Sequence, residues 1–411
     1  MTRRDFLRTG FFGIGVGTAM PFVFEHSALA MAADASHGKE PHPERILVVV
    51  EMTGGNDGLN TLVPYRNDKY YKVRPTLAIK PDKVMKLSDE VGLHSSMTGM
   101  KKLWDDGRLA IVQGCGYPNP NRSHFTSMEY WHTATPNTVE SIGWVGRFAD
   151  TYWPEAKPSA IVNVALKQSL AVQANLHAPV VFYDPTRFVR AGSPDQEPVY
   201  RSFLAHQGDQ GNKTLSFLRD ISKTAEASSG KVREAVLQYK TPISYGSESI
   251  ASTLSTDLKK VAALINAGFP TRVYYVSMSG FDTHAGQAGA QQGLLMYVAD
   301  ALEGFFSDMK RIGRSQDVAA MMFTEFGRRV EENQSGGTDH GTATPMYLMG
   351  EKIKPGLYGQ YPSLEDLDPN GDLKMTTDFR SVYATMIKEW MGYNDAKTIL
   401  KGDFATLGAI A

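Results

Sequence analysis

Five consecutive aliphatic residues, Ile46-Leu47-Val48-Val49-Val50, run without interruption into Glu51 and then into the turn-rich Gly54-Gly55-Asn56-Asp57-Gly58. A strand with one wet face alternates apolar and polar positions, so an unbroken run describes a strand covered on both faces, the condition of a central strand in a parallel sheet. The chain must then supply helices for both sides. Met97, Met100, Leu103 and Trp104 have helical spacing between Met97 and Asp106, and Gly107 leads into a strand at Leu109-Ala110-Ile111-Val112-Gln113, which makes one βαβ step. Further strands are predicted at Arg272 to Val276, Val318 to Thr324 and Met346 to Met349, with a long helix from Gln287 to Ile312. Strands alternating with helices predict an α/β three-layer sandwich around a largely parallel sheet, in one domain spanning 45–411. The segment 183–247 is rich in turn residues and charge, carries helical stretches around Leu215 to Leu237, and reads as a helical cap or insertion.

Composition narrows the function classes. Among 411 residues, 43 Lys+Arg face 44 Asp+Glu for a net charge of −1, so no field suited to a polyanion is built in and nucleic acid is not an expected partner. Hydrophobic residues at 42% and charged residues at 21% exclude a disordered or multi-span membrane chain. The lone cysteine, Cys115, permits no internal disulfide, which leaves core burial and a metal as sources of stability.

The N-terminus, Thr2-Arg3-Arg4-Asp5-Phe6-Leu7-Arg8, followed by an apolar stretch from Gly10 to Phe24 and by Ala28-Leu29-Ala30, reads as a twin-arginine export signal over 1–30. The stretch is short for a membrane span, and Ala28-x-Ala30 offers a cleavage site; an uncleaved anchor is the alternative. Met31 to Glu44, with Pro41 and Pro43, reads as a flexible leader. The expected location is the periplasm or another exported compartment, with the twin-arginine translocase as partner during export and no stable membrane span after cleavage. That route carries folded proteins, commonly because a metal or cofactor is inserted first.

Three segments beside predicted strand ends carry ligand-type residues. Gly280-Phe281-Asp282-Thr283-His284 places a carboxylate and an imidazole two positions apart on an extended stretch, hence on one side. Thr324-Glu325-Phe326-Gly327-Arg328-Arg329 puts a carboxylate at the carboxyl edge of the sheet, where α/β proteins place ligand sites, although an ion pair of Glu325 with Arg328 or Arg329 is an equal reading. Gly336-Gly337-Thr338-Asp339-His340-Gly341 is a glycine-flanked loop carrying Asp339 and His340. Asp57 is either a further carboxylate or part of an Asp-Gly turn. Ser123 stands where a helix opens, and either caps it or presents a hydroxyl to a positive helix end. His132 lies one turn after Glu129, and a surface hydrogen-bonded pair is the expectation for it.

Taken in order, Gly54-Gly55-Asn56-Asp57-Gly58-Leu59-Asn60, Ser123-His124-Phe125, Gly280-Phe281-Asp282-Thr283-His284, Thr324-Glu325-Phe326-Gly327-Arg328-Arg329 and Gly337-Thr338-Asp339-His340-Gly341 resemble the family catalogued as domain of unknown function 1501. That family is similar to the alkaline phosphatase and sulfatase superfamily of metal-dependent ester hydrolases. The resemblance implies that Asp282, His284 and His340 form one metal site, that Asp57, Glu325 and Asp339 are further candidate ligands, and that Ser123, His124 and Thr126 are the catalytic candidates, with the nucleophile open between Ser123 and Thr126. Glu325-Phe326 replaces the Asp-His pair of a second site, so one divalent ion, zinc, manganese or similar, is expected. No Cys-x-Pro-x-Arg signature surrounds Ser123, which excludes a formylglycine sulfatase. Asp378 to Met386 resembles an Asp-led C-terminal helix that supports the fold. The implied activity is an exported hydrolase of a phosphate- or sulfate-type ester, whose small-molecule or glycan substrate is left open; the competing expectation is a non-catalytic periplasmic binding or assembly protein.

Overall fold

The computed structural model describes residues 40–153, 157, 159–188, 194–205, 213–248 and 253–411. The expected export signal and the leader up to residue 39 lie outside them. The aliphatic run forms β1 (Ile46–Thr53), buried at every position from Ile46 to Met52. The remaining strands of its sheet are β2 (Leu109–Gly116), β3 (Ile161–Val164), β4 (Val180–Phe182), β5 (Val273–Ser279), β6 (Val318–Phe323), β7 (Thr344–Met349), β8 (Gly356–Tyr358) and β9 (Thr377–Asp378). They lie in the order β8-β2-β7-β6-β1-β5-β3-β4, with β9 beside β2. β1 has parallel neighbours on both sides, Val50 standing level with Val276 and with Met322. Only β7 is antiparallel, to both β2 and β6.

Alternation along β1 divides the core. Val48, Val50 and Met52 face a cluster with Leu258, Val261, Leu295, Leu302 and Phe305, whereas Leu47 and Val49 face one with Trp131, Phe148, Phe379 and Tyr383. Each such side chain removed from water contributes on the order of 1.5–3 kcal/mol, which is why no polar residue interrupts the run. The first face is covered by α1 (Thr98–Asp105), and the second by α2 (His124–Thr133) and α3 (Trp144–Tyr152); α4 (Thr253–Asn266) and α5 (Gln287–Arg311) join the first, and α6 (Phe379–Thr385) the second. The result is an α/β three-layer sandwich with a mostly parallel sheet.

Between 183 and 247 the described residues hold the helices Glu197–Ala205 and Lys213–Gln238 and no strand, and the longer helix packs on α4. Asp378 caps α6, its carboxylate accepting from the Arg380 N–H at 3.0 Å. A three-stranded sheet of Leu62–Val63, Val84–Lys86 and Gly92–His94 flanks the loop after β1. Among the described residues no helix is long and apolar enough to cross a membrane.

Strand direction places the loops. Four parallel strands, β1, β2, β5 and β6, deliver their following segments to the same edge, and β7, running the other way, begins there. Segments 54–58, 117–124, 280–286 and 324–343 therefore meet, although more than two hundred residues separate the first from the last.

Candidate metal centre

His340 precedes β7 and Asp282 follows β5. The Nε2 atoms of His284 and His340 lie 2.9 Å apart, and each stands beside Asp282 Oδ1, at 3.0 and 3.2 Å. From the start of α2, His124 brings its Nε2 to 3.4 Å from Asp282 Oδ2. One ligand atom each from His124, Asp282 and His340 all fall within 4.8 Å of one another, and His284 adjoins this group. The distance between His284 and His340 is short enough for both to reach one ion.

Each of the three imidazoles has its Nδ1 engaged from behind. His124 Nδ1 donates to Glu325 Oε1 at 2.7 Å, His284 Nδ1 to Asp339 Oδ1 at 3.1 Å, and His340 Nδ1 to the Arg122 carbonyl at 2.8 Å. A donor bond from Nδ1 selects the tautomer whose Nε2 carries a lone pair, and carboxylate or carbonyl partners behind histidines are the ordinary second shell of a metal site. His124 Nε2 is buried and has no hydrogen-bond partner. Three Nε2 lone pairs and one carboxylate make a donor set that zinc, manganese or iron accepts.

The charges agree. Although burial pushes Asp282 upward, the hydrogen bond and charge of Arg328 work against it and Asp282 is held at about 2, so it presents a carboxylate. Burial lowers His340 and favours its neutral, ligating form. The bond to Glu325 raises His124, against its desolvation. Asp339 is held low by its bonds from Asn333 and His284.

Arg328 does work that its sequence position does not announce. Instead of pairing with Glu325 it is fully buried and donates to Asp282 Oδ1 at 2.7 Å, to the carbonyls of Gly55 at 2.6 Å, Thr338 at 2.9 Å and Phe281 at 3.0 Å, and to that of Gly54. One guanidinium thus ties three loops of the centre together. Gly54 makes room for this convergence: its φ is +122°, and a Cβ there would stand 2.5 Å from the Asp282 nitrogen.

The other expected ligands lie behind the centre. Glu325 is buried, accepting from His124, from the Gly54 N–H at 2.9 Å and from the Thr324 hydroxyl at 3.0 Å, which makes it an orienting group for His124. Asp339 does the same for His284 and also accepts from Asn333 at 3.2 Å. Asp57 is buried with Arg74, whose Nη1 lies 2.6 Å from Oδ2; it also accepts from Gln287 and caps the helix Gly58–Thr61 through the Leu59 N–H. Its carboxylate is spent on bracing the loop after β1.

Ser123 occupies the N-cap position of α2, exposed, and its hydroxyl makes no capping bond. Thr126 is half-buried one turn on. Ser127, which the sequence did not single out, is buried and donates to the Glu325 carbonyl at 2.7 Å, anchoring α2 against β6. His132 does not pair with Glu129: its Nε2 meets Glu51 Oε2 at 2.7 Å, inside the core.

The model of a protein family of unknown function, DUF1501, matches residues 205–402. No curated protein matches the sequence. Among solved structures, the C-terminal periplasmic domain of EcEptC from Escherichia coli, in complex with Zn, is 9% identical, with 92% of this chain and 94% of that one covered and a TM-score of 0.41. A protein in the alkaline phosphatase superfamily from Vibrio parahaemolyticus is 9% identical, over 95% of this chain and 79% of that one, with a TM-score of 0.40. A sulfatase from Pseudoalteromonas sp. is 11% identical over 97% and 77%, with a TM-score of 0.39.

Proposed function

We propose that the protein is an exported, metal-dependent hydrolase of phosphate- or sulfate-type esters, with Asp282 and the Nε2 atoms of His124, His284 and His340 as the ligands of one divalent ion. The observation that carries this reading is the threefold Nδ1 anchoring, which aims three imidazole lone pairs and a carboxylate at one point. A cation bound there supplies Lewis acidity toward an ester oxygen. The chain's own groups do the rest. Arg328 keeps the Asp282 carboxylate in place, Glu325 and Asp339 orient the rings of His124 and His284, and the exposed Ser123 hydroxyl, next in sequence to His124 and unused in capping, is the nucleophile offered to the ester.

The test begins with metal analysis of the purified chain beside Asp282→Ala, His284→Ala and His340→Ala. The parent is expected to hold about one zinc, manganese or iron per chain, and each variant to lose most of it. Undiminished metal in all three refutes the centre. A panel of aryl phosphate and sulfate esters, assayed with each metal, then asks for turnover that Ser123→Ala abolishes while metal content stays unchanged.

A further inference from the structure

Phe326, next in the chain to Glu325, is 2% exposed and stands against two of the candidate ligands. Its ring centroid lies 4.9 Å from that of His124 and 4.9 Å from that of His340, with an interplanar angle of 37° to each. The two imidazole planes are 74° apart, at a centroid distance of 4.3 Å. Equal angles that together span the whole divergence place the phenyl plane midway between the two imidazole planes, so one flat ring packs on both. The same ring lies against the main chain of Gly55, where an added Cβ would stand 2.3 Å from Cε2, so only glycine at that place admits it. Among the described residues Phe326 makes no ring contact with His284, which packs on His340 at 4.7 Å.

The hydrogen bonds at Nδ1 choose which nitrogen faces the centre, but each holds its ring at a single atom. Torsion about Cβ–Cγ is broad for an imidazole, so a ring anchored at one edge can still rock. The Nε2 lone pair lies in the ring plane, and rocking swings it away from the point on which the ligands converge. A flat face packed against the ring opposes that motion, and aromatic pairs roughly 4.5–7 Å apart in offset or tilted arrangements attract each other beyond what burial alone supplies. One dipeptide thus restrains His124 twice, with the Glu325 carboxylate at Nδ1 and the Phe326 phenyl against the ring. For His340 the Arg122 carbonyl takes the first part and the same phenyl the second. Phe326 also borders a cavity of about 200 Å³ together with Tyr117, Trp131 and Leu373, so a shorter side chain at 326 enlarges an existing space and leaves the two imidazoles without that support.

We propose that Phe326 is a positioning residue of the candidate centre: wedged against His124 and His340, its ring fixes the planes in which their Nε2 lone pairs converge. The benefit to metal binding rests on the hydrolase reading; the wedge itself needs no metal. The test compares the full chain with Phe326→Leu, which keeps apolar bulk and loses the flat face, and with Phe326→Met should the first variant fold poorly. In the chelated chain carrying carbon-labelled histidine, nuclear relaxation is expected to show the rings of His124 and His340 more mobile in the variant, with His132 as the unchanged reference. On titration with cobalt(II), affinity is expected to fall about tenfold, as for other lost orienting groups, and the ligand-field absorption to change shape. Equal ring mobility in parent and variant overturns the wedge, whether or not the chain binds metal. Freed rings with unchanged cobalt affinity and absorption reveal packing alone and overturn the positioning role. A parent that takes up no cobalt refutes the hydrolase reading instead, and ring mobility then supports or overturns the wedge by itself.

Discussion

Helix α2 carries a histidine–carboxylate pair at each end, and the two are put to different uses. At its start His124 gives Nδ1 to Glu325 and keeps Nε2 for the space beside Asp282. At its end His132 gives Nε2 itself to Glu51, with the Ser169 hydroxyl 3.4 Å from that nitrogen and the Tyr275 hydroxyl on the carboxylate. Glu51 projects from β1 into the apolar face lined by Trp131 and Tyr383, and Thr53 donates to its other oxygen at 2.8 Å. The same two residue types therefore make a candidate ligand at the sheet edge and a mostly buried pair two residues short of the end of β1. What distinguishes them is where the spare ring nitrogen stands: His124 keeps its Nε2 beside Asp282, within a group of ligand-type side chains, whereas among the described residues His132 belongs to no such group.

The contrast can be broken most directly by metal affinity. His124→Ala should weaken zinc or manganese binding by more than about 100-fold, above the 10–100-fold typical of lost orienting groups, whereas His132→Ala should leave it within about twofold; calorimetry or competition with a chelating dye reads both. Equal losses would erase the distinction between the two ends. Stability should order them the other way. Glu51→Gln strands a mostly buried partner and is expected to cost about 3 kcal/mol in urea unfolding, against about 1 kcal/mol for His124→Ala, whose side chain is partly solvated. Acid sharpens the point with the smallest effect. Burial works to raise the Glu51 carboxyl, yet the charge of His132 and the bonds from His132, Tyr275 and Thr53 hold it below the ordinary glutamate value. A depressed carboxyl stabilises the fold above its unfolded value and loses that contribution as pH falls through the folded one. The thermal midpoint should accordingly drop below roughly pH 4.3, and Glu51→Gln should flatten that limb. An identical acid limb in the variant would show that the pair contributes nothing to it.

Much of this architecture is legible in local pattern. Unbroken apolar runs marked β1 and β2, helical spacing marked α1 and α5, and the ligand types at 282, 284 and 340 stood where strands had to end. Short strands escaped, because β3 has 4 residues and β4 has 3, too few to carry a period. The antiparallel direction of β7 also escaped, since no side-chain pattern within a strand records which way it runs; yet that direction returns His340 to the edge occupied by Asp282. His132 was matched with Glu129 by helical proximity, while its partner lies on β1, 81 positions away. Glu325 and Asp339 were recognised as acids at the correct edge, but the face each presents depends on the histidine in front of it.

By itself the sequence determined the sandwich, the edge at which chemistry-bearing residues gather, and the donor types available there, because periodicity and residue identity are local properties. Only the tertiary structure decided which nitrogen of each imidazole is spent and which is free, and which arginine is buried among the loops. Those outcomes depend on contacts between segments far apart in the chain, where a shift of a few ångströms converts a ligand into an ion-pair partner and no neighbouring residue records the difference.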